Sequence, residues 1–178
     1  MITGPNQGGK TTFTRAFGQM HYLASIGLSV PGKQAELFLC EKILTHFERE
    51  EDLSSENGKL RDDLIRLRRL LEQADEKSLV LINEIFASTT VEDALELGKH
   101  MMDHLLRAGA LGVIVTFLDE LAEYSPETVS MMSLVANDQN RTRTYKVRRK
   151  APDGLAFAQY IASRHGLSAE ELRRRLRA

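Results

Sequence analysis

Residues 4–11 read GPNQGGKT, eight positions that satisfy the pattern G-x-x-x-x-G-K-[ST]. Glycines at 4, 8 and 9 let the backbone curl so that several N–H groups point at one phosphate cluster. Lys10 can then reach the β- and γ-phosphates of a nucleotide, and Thr11 can offer its hydroxyl to magnesium. A helix beginning at Lys10 turns the positive end of its dipole toward the same anion. An ordinary glycine-rich turn before a helix is the plainer reading, and the full eight-residue pattern in this context outweighs it.

Around this loop, strand and helix patterns alternate. A short strand end, Ile2-Thr3, runs into the loop, and a helix follows from Lys10 to Ser25, broken by Gly27 and Pro31. Ala35–Cys40 and Lys42–Phe47 read as strands, and the polar 48–58 stretch as a loop. Leucine and isoleucine at 60, 64, 67, 70 and 71 recur at helical spacing across Lys59–Ala74, as expected of a helix packed on a sheet. Ser78–Ile82 is a buried strand, Thr90–Ala108 a helix, Leu111–Thr116 a second buried strand and Asp119–Tyr124 a short helix. Val129–Ala136 and Thr142–Arg149 read as β segments separated by a turn-rich stretch. Leu155–His165 and Ser168–Arg177 read as helices, with Ser168 and Glu171 in a capping-box pattern. This alternation predicts a single α/β domain with a mostly parallel sheet flanked by helices. Only three residues precede Gly4, too few for the whole strand such a loop requires, so the domain is expected to have a further N-terminal part.

At 178 residues, with 42% hydrophobic and 28% charged side chains, the chain falls in the globular class. A net charge of −1 gives no global attraction to nucleic acid or membrane. A single Cys40 excludes an intrachain disulfide and a four-cysteine zinc site. No apolar run approaches the roughly 20 residues of a membrane span, and a cytoplasmic location is expected. Basic residues cluster at the C-terminal end, where a solvated helix face and a phosphate-contacting surface compete as readings. His100 and His104 share a helix face, but with Met101 and Met102 between them packing is a better reading than metal binding.

The second element is LVLINEIF, residues 79–86. Four apolar residues form a strand whose end delivers Asn83 and Glu84. In P-loop NTPases this place holds an aspartate that helps to position magnesium. Asn83 can still accept a hydrogen bond from a metal-bound water but brings no negative charge, and Glu84 is suited to polarising an attacking water. The plainer reading is a strand end capped at the surface.

The loop TGPNQGGKTT, residues 3–12, resembles that of the MutS mismatch-repair ATPases, TGPN-x-GGKST. The likeness continues through ASIGLSVP (24–31), EDLSS (51–55), SLVLINEI (78–85), ASTTVED (87–93), VTFLDEL (115–121), YKV (145–147) and LAFAQYIASRHGL (155–167), in the same order. The resemblance implies a P-loop NTPase of the ABC type that binds ATP and Mg2+ and works as a homodimer or MutS-like dimer through the ATPase face. DNA would be handled by regions outside this chain. Carried over, Gly4, Pro5, Asn6, Gln7, Gly8, Gly9, Lys10, Thr11 and Thr12 hold the nucleotide, Thr11 and Asn83 lie at the metal, and Glu84 orients the water. The segment 54–59 becomes the signature reaching the partner's nucleotide, and 88–93 the dimer interface.

Three positions depart from the family pattern. The family usually has aspartate where this chain has Asn83, a serine-threonine pair near Lys59-Leu60, and threonine-histidine where Thr116 precedes Phe117. A phenylalanine cannot sense a phosphate by hydrogen bonding. The departures suit a divergent MutS-related branch with slow or partner-dependent turnover. Two functions follow: an ATPase module coupling nucleotide state to DNA handling, or an ATP-binding dimerisation switch with little or no hydrolysis. A small-molecule kinase is a third, without a visible acceptor site.

Overall fold

The computed structural model describes residues 1–47, 58–84, 86–136, 142–154, 165–167 and 169–176. The elements run β1 (Ile2–Thr3), α1 (Lys10–Ser25), β2 (Lys42–His46), α2 (Lys59–Leu71), β3 (Ser78–Asn83), α3 (Val91–Ala108), β4 (Leu111–Val115), a 3-10 turn (Asp119–Glu123), β5 (Met131–Val135), β6 (Arg143–Arg149) and α4 (Ala169–Leu176). They build one six-stranded sheet in the order β2-β3-β4-β1-β5-β6. The first five strands are parallel, and β6 closes the edge antiparallel to β5.

β3 is buried along its whole length because helices cover both faces of the sheet. Val80 and Ile82 turn into a core shared with Leu67 and Leu70 of α2 and with Met101, Met102 and Leu105 of α3. Leu79 and Leu81 turn the other way, against Phe17 of α1, Ile43, Val113 and Cys40. Strand alternation alone sorts the four residues between the two cores, which explains why the sequence shows an unbroken apolar run. Gly18 is the point where α1 comes nearest: a Cβ there would lie 2.3 Å from Leu81 Cδ1.

The expected helices and strands form within a residue or three of their predicted ends. Thr90 caps α3 by accepting from the Asp93 N–H, and Gly109 ends it in the left-handed region at φ 67. Ala35–Cys40 is a correction. These residues belong to no strand of the sheet and only Cys40 among them is buried, so the apolar composition there does not pair into a ladder. Residues 48–57 of the expected 48–58 loop, 155–164 of the expected Leu155–His165 helix, and the Ser168 cap lie outside the described residues.

β1 is only two residues long. Ile2 pairs with Val115 on one side and Met131 on the other, and Thr3 with Met132. Beside Met1 lies a cavity of about 360 Å³ lined by Met102, Leu105, Leu111, Ile114 and Val129. No helix among the described residues is long and apolar enough to cross a membrane.

Outside the core, β2 is tied to the turn before β3 by the Lys42 ammonium, which donates to the Asp75 carboxylate and to the Gln73 carbonyl. The Lys42 bond first, and then the Ser78 hydroxyl, hold the Asp75 carboxyl down at about 2 from its usual 3.8. A carboxyl lowered on folding stabilises the fold above its unfolded value, and that contribution disappears as the pH falls through about 2. Thermal unfolding measured between neutral pH and pH 2 should therefore fall less steeply for Asp75→Asn than for the native chain, the two curves converging at the acid end. Parallel curves would remove Asp75 from the acid response.

Candidate functional site

The carboxyl ends of the parallel strands, where open α/β sheets place their ligands, carry the residues singled out from the sequence. One row across the sheet is Asn83, Val115, Ile2 and Met131. Just past it the chain leaves β1 into the glycine loop and leaves β3 into Glu84. Two backbone bonds stitch these exits together: the Glu84 N–H donates to the Val115 carbonyl at 3.0 Å, and the Thr116 N–H to the Ile2 carbonyl at 3.1 Å.

The loop needs its glycines for two separate reasons. Gly4 and Gly9 sit at φ 105 and φ 89, in the left-handed region. Gly8 is required by space: a Cβ there would meet Ser133 Oγ at 2.6 Å and the Pro5 carbonyl oxygen at 2.9 Å. Ser133, on β5, is also 2.7 Å from the Cβ position of Gly4, so β5 forms the wall against which the loop closes. Gln7, at φ 59, completes the curl. Gly9 is the N-cap of α1 without a side-chain bond, which leaves the first amides of the helix directed at the loop's interior.

Lys10 is 5% exposed, and its ammonium is held by oxygens of the loop itself. It donates to the Gly4 carbonyl at 2.8 Å, the Pro5 carbonyl at 3.1 Å and Asn6 Oδ1 at 3.4 Å. Burial lowers its pKa; the Glu84 carboxylate opposes that shift and the Arg143 guanidinium adds to it. These two opposing influences place Glu84 and Arg143 in the electrostatic surroundings of Lys10. Thr11 is half-buried and Thr12 exposed on the first turn of α1.

Asn83 is 7% exposed and its Oδ1 has no hydrogen-bond partner among the described residues. A buried amide oxygen without a donor is costly, and it is the kind of acceptor that a metal ion or a metal-bound water would satisfy. Thr3 Oγ1 and Ser133 Oγ are buried in the same condition. The residues present thus fit a phosphate group with an accompanying hard cation: amides and an ammonium on one side, neutral oxygen donors on the other.

Glu84 and Phe86 both have positive φ, 53 and 65. Each such residue costs on the order of 1–3 kcal/mol. Phe86 is 1% exposed and belongs to the larger core, so burial of its ring anchors the chain just beyond Glu84. That anchor is visible in the sequence only as one more apolar residue after the strand.

Of the predicted interface segment, Thr89 Oγ1 lies 3.3 Å from an Asp93 carboxylate oxygen and Thr90 caps α3. Residues 54–57 of the predicted signature lie outside the described ones, while Gly58 and Lys59 begin α2. Phe117 is half-exposed at the end of β4. His100 lies 3.3 Å from Glu96, and His104 Nε2 lies 3.1 Å from the Leu71 carbonyl oxygen. Among the described residues no group of three metal-ligating side chains forms.

Sequence reasoning missed the approach of β6. The Tyr145 Cα and ring are 3.7 Å from the Cβ position of Gly9, with Tyr145 itself at φ 54 and 71% exposed. The register shift between Ser133 and Val135 on β5 sets this approach, and neither hydropathy nor spacing reveals a bulge.

Fold and site define a mostly parallel α/β protein whose glycine-rich loop, set between a central strand and a helix, is shaped for an anion. Residues 1–169 match the family model described as MutS domain V. The chain belongs to that family. It is 31% identical over 176 residues to the protein named endonuclease MutS2 of Thermus thermophilus, covering 98% of this chain and 24% of that protein. It is 28% identical over 161 residues to the DNA mismatch repair protein MutS of Brevibacillus brevis, covering 90% of this chain and 19% of that protein. The chain therefore spans about a quarter or less of the relatives it matches.

The glycine loop makes a specific demand that substitution can probe. Gly8→Ala should weaken binding of inorganic pyrophosphate by at least about tenfold, near 1.4 kcal/mol, with α-helical circular dichroism unchanged. Adding Ser133→Ala should not restore it, since the Pro5 carbonyl still blocks the new methyl group. Rescue by Ser133→Ala would show that the wall, not the loop backbone, sets the limit.

Proposed function

We propose that this chain belongs to the ATP-binding, ATP-hydrolysing ABC-type domain of a MutS-like protein, residues 1–178 all lying within one such domain, and that it couples nucleotide state to DNA handling through dimerisation. The observation that carries the reading is Lys10, a buried ammonium capped by the carbonyls of its own loop. A phosphate oxygen is a stronger acceptor for that ammonium than a carbonyl, because the bond is charge-assisted on both sides. Lys10 would exchange Gly4 and Pro5 for the β- and γ-phosphates, while the loop amides and the N-terminus of α1 hold the same anion. The exposed Tyr145 ring beside Gly9 offers a stacking surface for the base.

Thr11 and Asn83 would hold Mg2+, which when bound neutralises charge on the phosphates. Glu84 would take a proton from the attacking water; its backbone bond to Val115 and the buried Phe86 beyond it support that role by fixing the chain around it. The oxygen of that water bonds to the γ-phosphorus as the bond to the ADP oxygen breaks. Dimerisation would use the 88–93 face, and DNA would be contacted by regions other than the described residues; membership of the MutS domain V family and the DNA-related names of the relatives support this reading. Asn83 favours the second reading, an ATP-dependent dimerisation switch with little hydrolysis, because a neutral amide holds the metal less firmly than a carboxylate.

Nucleotide binding and single-turnover hydrolysis separate these readings. Lys10→Ala should weaken ATP binding about 10- to 100-fold, the worth of a charge-assisted bond of roughly 1.5–3 kcal/mol. Glu84→Gln should leave binding intact and slow hydrolysis by about 10²-fold or more. Asn83→Asp should raise magnesium affinity. Equal background hydrolysis in native and Glu84→Gln protein would leave only the switch, and unchanged ATP affinity in Lys10→Ala would remove the nucleotide site.

A further inference from the structure

The charges around Lys10 are arranged unusually for a site that binds a polyanion with a metal. At the end of β3 stands the neutral amide of Asn83, not a carboxylate, and its oxygen is buried without a donor among the described residues. On the opposite flank β6 begins with Arg143. This residue pairs with Val135 immediately past the register shift, two positions beyond the Ser133 that walls Gly4 and Gly8. Two residues further on, Tyr145 passes within van der Waals distance of the Gly9 Cβ position, so the start of β6 runs along the mouth of the loop. Arg143 is half-buried there, and its charge is felt at the Lys10 ammonium.

Among the described residues, the charged groups whose influence reaches Lys10 are Glu84 and Arg143. In a P-loop NTPase, magnesium and an acidic strand-end residue form a pair: the metal neutralises phosphate charge, and the acid holds the metal. Here the acid is absent and a guanidinium is present. Both differences make the site more positive before any metal enters. A guanidinium also presents a planar fork that engages two phosphate oxygens at once, which a hydrated cation held by one amide oxygen does not match.

We propose that Arg143 is a second phosphate-binding cation of this site, and that with Asn83 it makes nucleotide binding largely independent of a divalent metal. The proposal rests on the nucleotide reading above and assigns the residue that gives this site its ligand tolerance. It makes Arg143 a binding residue contributed by β6, the strand that the sequence does not connect with the loop.

The test is equilibrium ATP binding by calorimetry, in magnesium and in excess EDTA, for the native chain, Arg143→Gln, Arg143→Lys and Lys10→Ala. The native chain should lose less than about threefold in affinity on removal of metal. Arg143→Gln should bind about tenfold more weakly in EDTA, near 1.4 kcal/mol, and should regain most of that loss when magnesium is supplied. Arg143→Lys should fall between, since it keeps the charge and loses the fork. Native-like affinity of Arg143→Gln in EDTA would overturn the proposal, as would complete loss of native binding in EDTA, a comparison that needs no variant. Binding by the native chain in magnesium that Lys10→Ala abolishes would leave the nucleotide reading standing even then. No ATP binding by the native chain in either condition would end both.

Discussion

A buried ammonium must be surrounded by oxygen, and the folded site depends on how Lys10 meets that demand. Its ligands are the Gly4 and Pro5 carbonyls and the Asn6 side chain, all from the loop that precedes it. The loop can offer them only because it curls through left-handed glycines and closes without a side chain at Gly8. The curl in turn needs a wall, supplied by Ser133 on β5, and a fixed point of departure, supplied by Ile2 and Thr3 between β4 and β5. Lys10 therefore ties together strands far apart in sequence. The same contacts make it available to an anion, because a carbonyl is a weaker partner for an ammonium than a phosphate oxygen.

The opposite side of the site is positioned by a different means. β3 is held by two cores at once, Val80 and Ile82 in one and Leu79 and Leu81 in the other. Sliding it would move apolar groups onto the wrong faces. Its end is therefore fixed relative to β1, and Asn83 and Glu84 are fixed with it. Beyond the strand, Glu84 and Phe86 take left-handed conformations, an unfavourable backbone offset by burial of the Phe86 ring, worth on the order of 2–3 kcal/mol. Hydrophobic packing thus fixes the chain that carries Glu84, while backbone geometry shapes the glycine loop.

Local features of the sequence carried much of this. The glycine loop, the apolar run at 79–82 and the helical spacing through α2 each identify themselves within a dozen residues, and the loop motif together with the strand-end pair marks the candidate site residues. What stayed hidden is non-local. Ala35–Cys40 has a strand's composition but no neighbour to pair with. The insertion of β1 between β4 and β5 joins segments more than a hundred residues apart. The approach of Tyr145 to the loop comes from β6, whose pairing with β5 carries a register shift that composition does not encode. The core anchor at Phe86 was indistinguishable from any other apolar residue until its burial was known.

On the proposed reading, the Lys10 ammonium is a phosphate ligand held in reserve by its own loop. A crystal structure of the protein with a non-hydrolysable ATP analogue would show this at once. Phosphate density is expected inside the curl of residues 4–9, with Lys10 Nζ moved from the Gly4 and Pro5 carbonyls onto phosphate oxygens. A nucleotide bound elsewhere, with Lys10 still on those carbonyls, would contradict it.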